Sequence, residues 1–384
     1  MISVRPQLDS AHPWRYGNRF QLLSDGERFF ARMLESIAQA QHYVLLEMYL
    51  VESGQVANQF IDAFMHSIQR GVRVLILLDA FGAAGLRGRD RQRLIQAGAQ
   101  LRFYNAIGWR KRLANLARDH RKLLLIDGRV AFVGGAGLTD QFASGGGGAP
   151  WRDVMLEIRG PVLADWQIVF ATGWRKSGGE WLQPNASAHG TYVDGTTGRV
   201  AVSAGWHRSM LADSVVHRIE TARQHVWIMS AYFVPSRRFR KALRRAVRRG
   251  VDVRLFVPGP LTDHPWVRHA ARRFYGKLLH NGVRIFEFQP RVLHAKMILC
   301  DDWVSVGSSN LDRWGFKWNL EANQEIEDRP FANVVAAVFE EDRGQSLELD
   351  RRQWPRRGRL NRFREYLAGM LDRALERWRR PRSP

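Results

Sequence analysis

The chain has 384 residues, 45% of them hydrophobic, enough to bury a full core in two domains or in one large pseudo-symmetric unit. Its net charge of +22 calls for an acidic partner, either anionic lipid or nucleic acid. The single cysteine, Cys300, excludes an internal disulfide and fits a reducing compartment. Residues 1–20 hold no apolar h-region, and no stretch approaches the ~20 apolar residues of a membrane span, so the protein is expected to be soluble or to lie on a membrane surface.

Helical spacing runs through residues 25–41, with Phe29, Met33 and Ile37 on one stripe. Residues 43–51 read as a strand, and 55–70 as a helix stopped by Gly71. A buried strand at 72–79, a helix near 90–97 and a strand at 100–104 follow. The next strand opens with His120, Lys122 and Asp127 in the pattern His-x-Lys-x4-Asp.

The second half repeats this order. Gln41–His42 and Tyr49–Leu50–Val51 recur at one common offset as Gln224–His225 and Tyr232–Phe233–Val234. Arg70–Gly71–Val72 recurs as Arg249–Gly250–Val251, and His120 recurs as His294, with Lys296 and Asp301 completing a second His-x-Lys-x4-Asp. This is a duplication with alternating strands and helices. The expected fold class is α/β: two pseudo-symmetric mixed-sheet halves flanked by helices, with the active site at their interface. The divisions are residues 1–190, 191–350 and a basic tail, 351–384. The stretch 181–199, with Pro184, Asn185 and Thr196–Thr197–Gly198, reads as the linker.

With 12 His and seven Lys in the chain, one chance match to the motif is expected on the order of 0.01 times, so two carry weight. On a strand, residues i and i+2 share a face, so His and Lys of each motif project together. Two such strands side by side bring two imidazoles and two ammonium groups into one pocket. A phosphodiester fits that charge. One His attacks phosphorus, the other protonates the leaving oxygen, and the lysines stabilise the transition-state charge. No metal and no cofactor is required by this chemistry. Each motif has a downstream acid on a further strand, Asp153 after His120 and Glu321 after His294. Asp127 and Asp301 end their strands and are expected to hold the Lys or His network. Cys300 reads as core.

The paired motifs, each followed by a Gly-containing turn (Gly134–Gly135–Ala136–Gly137 and Gly307–Ser308–Ser309–Asn310), resemble the phospholipase D superfamily. From about residue 20 to 345 the chain is similar to the bacterial cardiolipin synthase type that lacks N-terminal membrane spans. The resemblance implies a phosphatidyltransferase working through a phosphohistidine, with phosphatidylglycerol as donor and the glycerol of a second lipid as acceptor. It implies that an acid in the place of Asp153 or Glu321 accepts a hydrogen bond from the nucleophilic His, that Ser308 and Asn310 contact phosphate, and that Lys122 and Lys296 hold it. Gly137 stands where the first half would have its Asn. Near-symmetry leaves the nucleophile open; His120 is taken as the first choice. The alternatives are a hydrolase or phosphodiesterase acting on nucleic acid, and a non-catalytic binder of anionic membranes.

Three basic stretches remain: residues 109–112, 237–249, and the tail, where twelve Arg face Glu365, Asp372 and Glu376. Leu360, Phe363, Leu367, Met370, Leu371, Ala374 and Trp378 recur in the tail at helical spacing, a pattern equally for lying on anionic bilayers and for docking on the domain with the arginines in solvent. The expected partners are phospholipid substrates and an anionic membrane, met peripherally at its cytoplasmic face, with nucleic acid ranked second. Gly145–Gly148 reads as a loop.

Overall fold

The computed structural model describes residues 12–106, 108, 115–144, 148–182, 190–204, 209–312, 318–356, 358, 365 and 370. The basic stretch 109–112, the glycines 145–147, the linker centre 183–189 and nearly all of the tail that carries the helical spacing lie outside the described residues.

The first half runs β1 (Arg15–Ser24), α1 (Gly26–Ala38), β2 (Tyr43–Met48), α2 (Gln55–Gln69), β3 (Arg73–Asp79), α3 (Gly88–Ala97), β4 (Gln100–Tyr104), β5 (Lys122–Ile126), β6 (Val130–Gly134), β7 (Val154–Arg159) and α4 (Leu163–Lys176). The second runs β8 (Thr196–Ala204), α5 (Met210–Thr221), β9 (His225–Met229), α6 (Arg237–Arg248), β10 (Asp252–Pro258), α7 (Pro265–His280), β11 (Arg284–Phe288), β12 (Met297–Cys300), β13 (Trp303–Gly307), β14 (Leu320–Glu327), α8 (Arg329–Gly344) and β15 (Ser346–Glu348). The strand order is β15-β11-β10-β9-β12-β13-β14-β8-β1-β7-β6-β5-β2-β3-β4. Read outward from the β8–β1 junction, the halves carry corresponding strands in the same order, with β15 an added edge. Strands β2, β3 and β4 pair in parallel, as do β9, β10 and β11. The motif strands β5 and β12 lie antiparallel to β2 and β9.

The apolar runs after each motif lysine are buried on both faces, which is why they show no polar alternation. In β5, Leu124 and Ile126 join Phe29, Met33, Phe60 and Phe64 under α1 and α2. Leu123 and Leu125 face the opposite way, into a core shared by both halves with Trp166 and Phe170 of α4 and Phe331 and Phe339 of α8. In β12, Leu299 enters the shared core, while Ile298 and Cys300 pack with Leu243 of α6 and Tyr275 of α7. Cys300 is buried as expected, and burial pushes its thiol pKa up. Both α2 and α6 end just before a glycine with φ 87, Gly71 and Gly250, a backbone state that side-chain-bearing residues rarely adopt.

Two boundaries differ from expectation. Asp25 precedes α1 without capping it; its carboxylate instead meets Arg152 at 3.2 Å and Arg291 at 2.9 Å. The C-terminal end of the expected linker is strand. Thr196 to Gly198 belong to β8 because that segment pairs with β14 on one edge and β1 on the other.

Candidate active site

Each motif histidine sits in a short bridge made with the opposite half. The His120 N–H donates to the Leu320 carbonyl (3.0 Å), and the Leu320 N–H to the Arg118 carbonyl (2.9 Å). The His294 N–H donates to the Arg152 carbonyl (2.8 Å), and the Arg152 N–H to the Val292 carbonyl (2.8 Å). The residue before each acid is therefore locked beside the residue before the other half's histidine. As a result the acids are exchanged: His294 Nδ1 donates to Asp153 at 2.7 Å, and His120 Nδ1 to Glu321 at 3.1 Å. A carboxylate only accepts, so Nδ1 carries the proton and each Nε2 keeps its lone pair.

His120, Lys122, His294 and Asn310 line one cavity of about 590 Å³. The Lys122 ammonium donates to the His120 carbonyl (2.6 Å) and lies 5.0 Å from the Tyr49 ring centroid. Lys296 lies against the His294 ring, 3.0 Å from Nδ1 and 3.2 Å from Nε2, and also donates to the His294 carbonyl. Burial sets the electrostatics. It drives the Lys122 pKa down to about 7 against the pull of Glu321, and it lowers Lys296. Burial also lowers His120. Burial and the Lys296 charge bring His294 to about 4. Asp153 falls below the usual carboxylate range: burial opposes this, but His294, Lys296 and the Val154 N–H outweigh it. Two neutral imidazoles thus wait beside cations that a bound anion would favour.

Asn310 turns a buried carboxamide toward the cavity, and its oxygen has no hydrogen-bond partner among the described residues. Ser308 differs from expectation. Its hydroxyl donates to Glu321 and accepts from the Ala322 N–H (3.1 Å), so it braces the acid of His120 and does not line the cavity. The corresponding residue in the first half is Gly135, where a Cβ would come within 2.5 Å of Asp153. At Gly137, the counterpart of Asn310, a Cβ would meet the Leu50 carbonyl at 2.5 Å, so an asparagine has no room there.

The motif aspartates stand apart from the lysines and histidines. Asp127 accepts from the backbone N–H groups of Gln41, His42 and Tyr43, each at 2.8 Å. Asp301 accepts from Arg223, Gln224 and His225 at 2.8 to 3.0 Å. Each closes the start of the neighbouring antiparallel strand, β2 or β9, about 15 Å along the motif strand from the lysine. The expected support of the Lys or His network is corrected accordingly.

Several residues of the site lie beyond the sequence reading. Tyr49 and Tyr232 flank His120 and His294 with centroids 4.7 Å and 6.3 Å away. Their recurrence at corresponding places in the two halves is the available signal. Trp151 and Phe142 also pack on His294. Beneath the first motif lies a buried ion group, Arg121 between Glu47 (2.5 Å) and Asp119 (3.0 Å). Among the described residues, no group of three His, Cys, Asp or Glu side chains is arranged to hold a metal ion.

Comparison with known proteins follows the same lines. A family model described as "Cardiolipin synthase, PLD-like domain" matches residues 33–150 and 215–343. The chain is 35% identical over 336 residues to cardiolipin synthase B of Salmonella typhimurium, covering 84% of this chain and 79% of that protein. It is 34% identical over 345 residues to cardiolipin synthase A of Pseudomonas putida, covering 88% and 71%. Among solved structures it resembles phosphatidylserine synthase of Haemophilus influenzae, with a TM-score of 0.72 at 15% identity over 95% of each chain, a likeness of fold.

Proposed function

The chain belongs to the cardiolipin synthase family with its phospholipase D-like fold, and from that premise we propose how its residues carry out phosphatidyl transfer. It is an enzyme of the phosphatidyltransferase type. Nε2 of one motif histidine attacks the phosphorus of a donor phospholipid, phosphatidylglycerol in our reading. The P–O bond to the leaving alcohol breaks, and the second histidine, protonated at Nε2 by uptake of a solvent proton as the anionic donor binds, gives that oxygen its proton. The second histidine then takes the proton of an acceptor hydroxyl, whose oxygen attacks phosphorus and breaks the N–P bond. Asp153 and Glu321 hold the ring orientation and stabilise imidazolium. Lys122, Lys296 and Asn310 meet the phosphoryl oxygens as charge builds.

The observation that carries this reading is the pair of exchanged His–carboxylate contacts, each beside a buried lysine and both serving one cavity. The test is turnover with a donor labelled in its phosphatidyl group, quenched with denaturant at alkaline pH where an N–P bond survives, followed by peptide mass spectrometry. A phosphatidyl adduct on the His120 or the His294 peptide is expected, and the peptide found assigns the nucleophile. Turnover without either adduct would refute the covalent step. Lipid mass spectrometry of cells expressing the protein, beside a His294→Ala control, identifies the transferred product.

We further propose that the membrane is met peripherally. No helix among the described residues is long and apolar enough to cross one. Phe81 lines the cavity and is 58% exposed, and Leu261 and Trp266, flanking the cavity residues Asp263 and His264, are 50% and 63% exposed. Exposed apolar side chains from both halves thus stand in the cavity lining or close in sequence to it, a rim for the mouth through which a phosphate headgroup would enter. Such a rim suits the headgroup–acyl boundary of a bilayer.

A further inference from the structure

A second cavity, of about 220 Å³, lies between α6 and α7 and is lined by Arg237, Arg240, Lys241, Arg244, Lys277 and Asn281, over Leu278 and Val283. Neither helix contains a single Asp or Glu. The arginines of α6 divide by face. Arg238 and Arg245, seven residues apart, are neutralised by Asp213 and Glu220 of α5. Arg237, Lys241 and Arg244, spaced four and three apart, share the stripe that turns to the groove. Together with Lys277 they have no carboxylate partner among the described residues, and the Arg244 Nε is buried without an acceptor. On α7, the acids that reach Arg268 and Arg272 are Glu287 and Glu365, and neither lines the groove. Like charges held this close repel in the free protein, and a bound anion would relieve that.

We propose that this groove is a second, non-catalytic phosphate site that takes the phosphate of a glycerophospholipid headgroup. The cations and the Asn281 amide meet the phosphate oxygens. Leu278 and Val283 form an apolar floor for the glycerol carbons. The choice of a phosphate over another anion rests on the phosphatidyltransferase reading. The choice of place rests on the charge pattern alone.

The test uses the full chain and two double variants of one helix with equal charge loss, Lys241→Gln/Arg244→Gln on the groove and Arg238→Gln/Arg245→Gln on the paired face. Binding is measured to vesicles of phosphatidylcholine alone, to vesicles of phosphatidylcholine mixed with phosphatidylglycerol, and separately to glycerophosphate in solution. Thermal midpoint and turnover of a soluble short-chain donor verify the fold and the catalytic site, and both should match the parent protein. The groove variant is expected to lose on the order of tenfold in affinity for the anionic vesicles, and the paired-face variant much less. A loss for glycerophosphate alone also supports the site and assigns it to soluble phosphate compounds. Equal losses in the two variants would reduce the groove to general charge and overturn the proposal, as would no loss in either. If the groove variant behaves as expected while the parent shows no phosphatidyl transfer, the catalytic reading has failed and the groove has not.

Discussion

The carboxylate of Asp153 stands 2.7 Å from Nδ1 of His294, 141 residues away and in the opposite half of the chain. Glu321 and His120, 201 residues apart, repeat the arrangement in reverse. Neither half alone holds a complete histidine–acid pair, so the active site exists only when both halves fold together. Asp153→Asn and Glu321→Gln should each lower kcat by roughly 10²–10⁴-fold, because the amide no longer fixes the tautomer or stabilises imidazolium. Imidazole nitrogen NMR reads the exchange directly. Asp153→Asn should shift the His294 resonances, and Glu321→Gln those of His120. Shifts of the histidine in the same half as the altered acid would show the exchanged pairing to be wrong.

The pH dependence follows from the buried cations. In the free enzyme, Lys122 sits at about 7 because burial disfavours its charge. Rising pH through that value removes the countercharge for phosphate, so kcat/KM should fall on the alkaline side near 7. His294 sits at about 4. Below that value it too is protonated, so kcat/KM should fall again as its lone pair is lost. A bound phosphodiester favours charged lysine, which moves the alkaline limb of kcat above that of kcat/KM. Identical alkaline limbs in the two profiles would separate Lys122 from the phosphate. Because lysines supply the countercharge in this reading, EDTA should leave the rate unchanged.

Asn310 and Ser308 make different predictions although they stand in one turn. Asn310→Ala removes a carboxamide that faces the cavity. A lost hydrogen bond to a charged group costs about 1.5–3 kcal/mol, so kcat/KM should drop by roughly ten- to a hundredfold. Ser308→Ala removes the brace on Glu321 and the acceptor of the Ala322 N–H, neither of which touches the cavity. It should lower kcat modestly and leave KM unchanged. Gly137→Ala is no matched control for Asn310→Ala, because its Cβ would press on the Leu50 backbone.

Much of this is legible in the sequence, because two of its signals are physical. The i, i+2 spacing of His120 and Lys122 places them on one strand face wherever that strand lies, and the recurrence of the whole order in the second half implies paired halves. What the sequence does not show is which strand lies beside which. Asp153 follows His120 in the same half, yet the Arg152–Leu293 bridge hands it to His294. Asp127 and Asp301 escape a sequence reading for a related reason. Their five-residue distance from Lys is visible, but the three backbone N–H groups that claim each carboxylate belong to a distant earlier segment of the chain.

Those aspartates therefore predict stability effects. Asp127→Asn and Asp301→Asn should lower the denaturation midpoint by an amount equivalent to about 1–3 kcal/mol each, since charge-assisted bonds to backbone are weakened. Turnover per folded molecule, measured well below the midpoint, should stay near that of the parent. A large loss of turnover in fully folded Asp127→Asn would return this residue to the chemistry. Arg121→Ala should cost more, about 3–5 kcal/mol, because it leaves Glu47 and Asp119 buried without their shared cation.

The rim of the cavity separates membrane contact from catalysis. Phe81 follows β3 and lines the cavity, and Leu261 follows β10, the corresponding strand of the other half; both are exposed. Trp266 stands at the start of α7, two residues beyond the cavity residue His264. None of the three makes a hydrogen bond to a motif residue, so replacing them should leave the site intact. Fully burying an aromatic or leucine side chain contributes about 1.5–3 kcal/mol. Phe81→Ala with Trp266→Ala should therefore weaken binding to phospholipid vesicles by at least roughly tenfold. That loss should persist at high salt, which screens the basic surface but leaves apolar insertion in place. Turnover of vesicle-borne donor should fall in step, while turnover of a soluble short-chain donor stays near the parent value. Equal losses on both donors would place Phe81 and Trp266 in substrate binding instead of membrane contact, and unchanged vesicle binding would move the membrane surface elsewhere on the molecule.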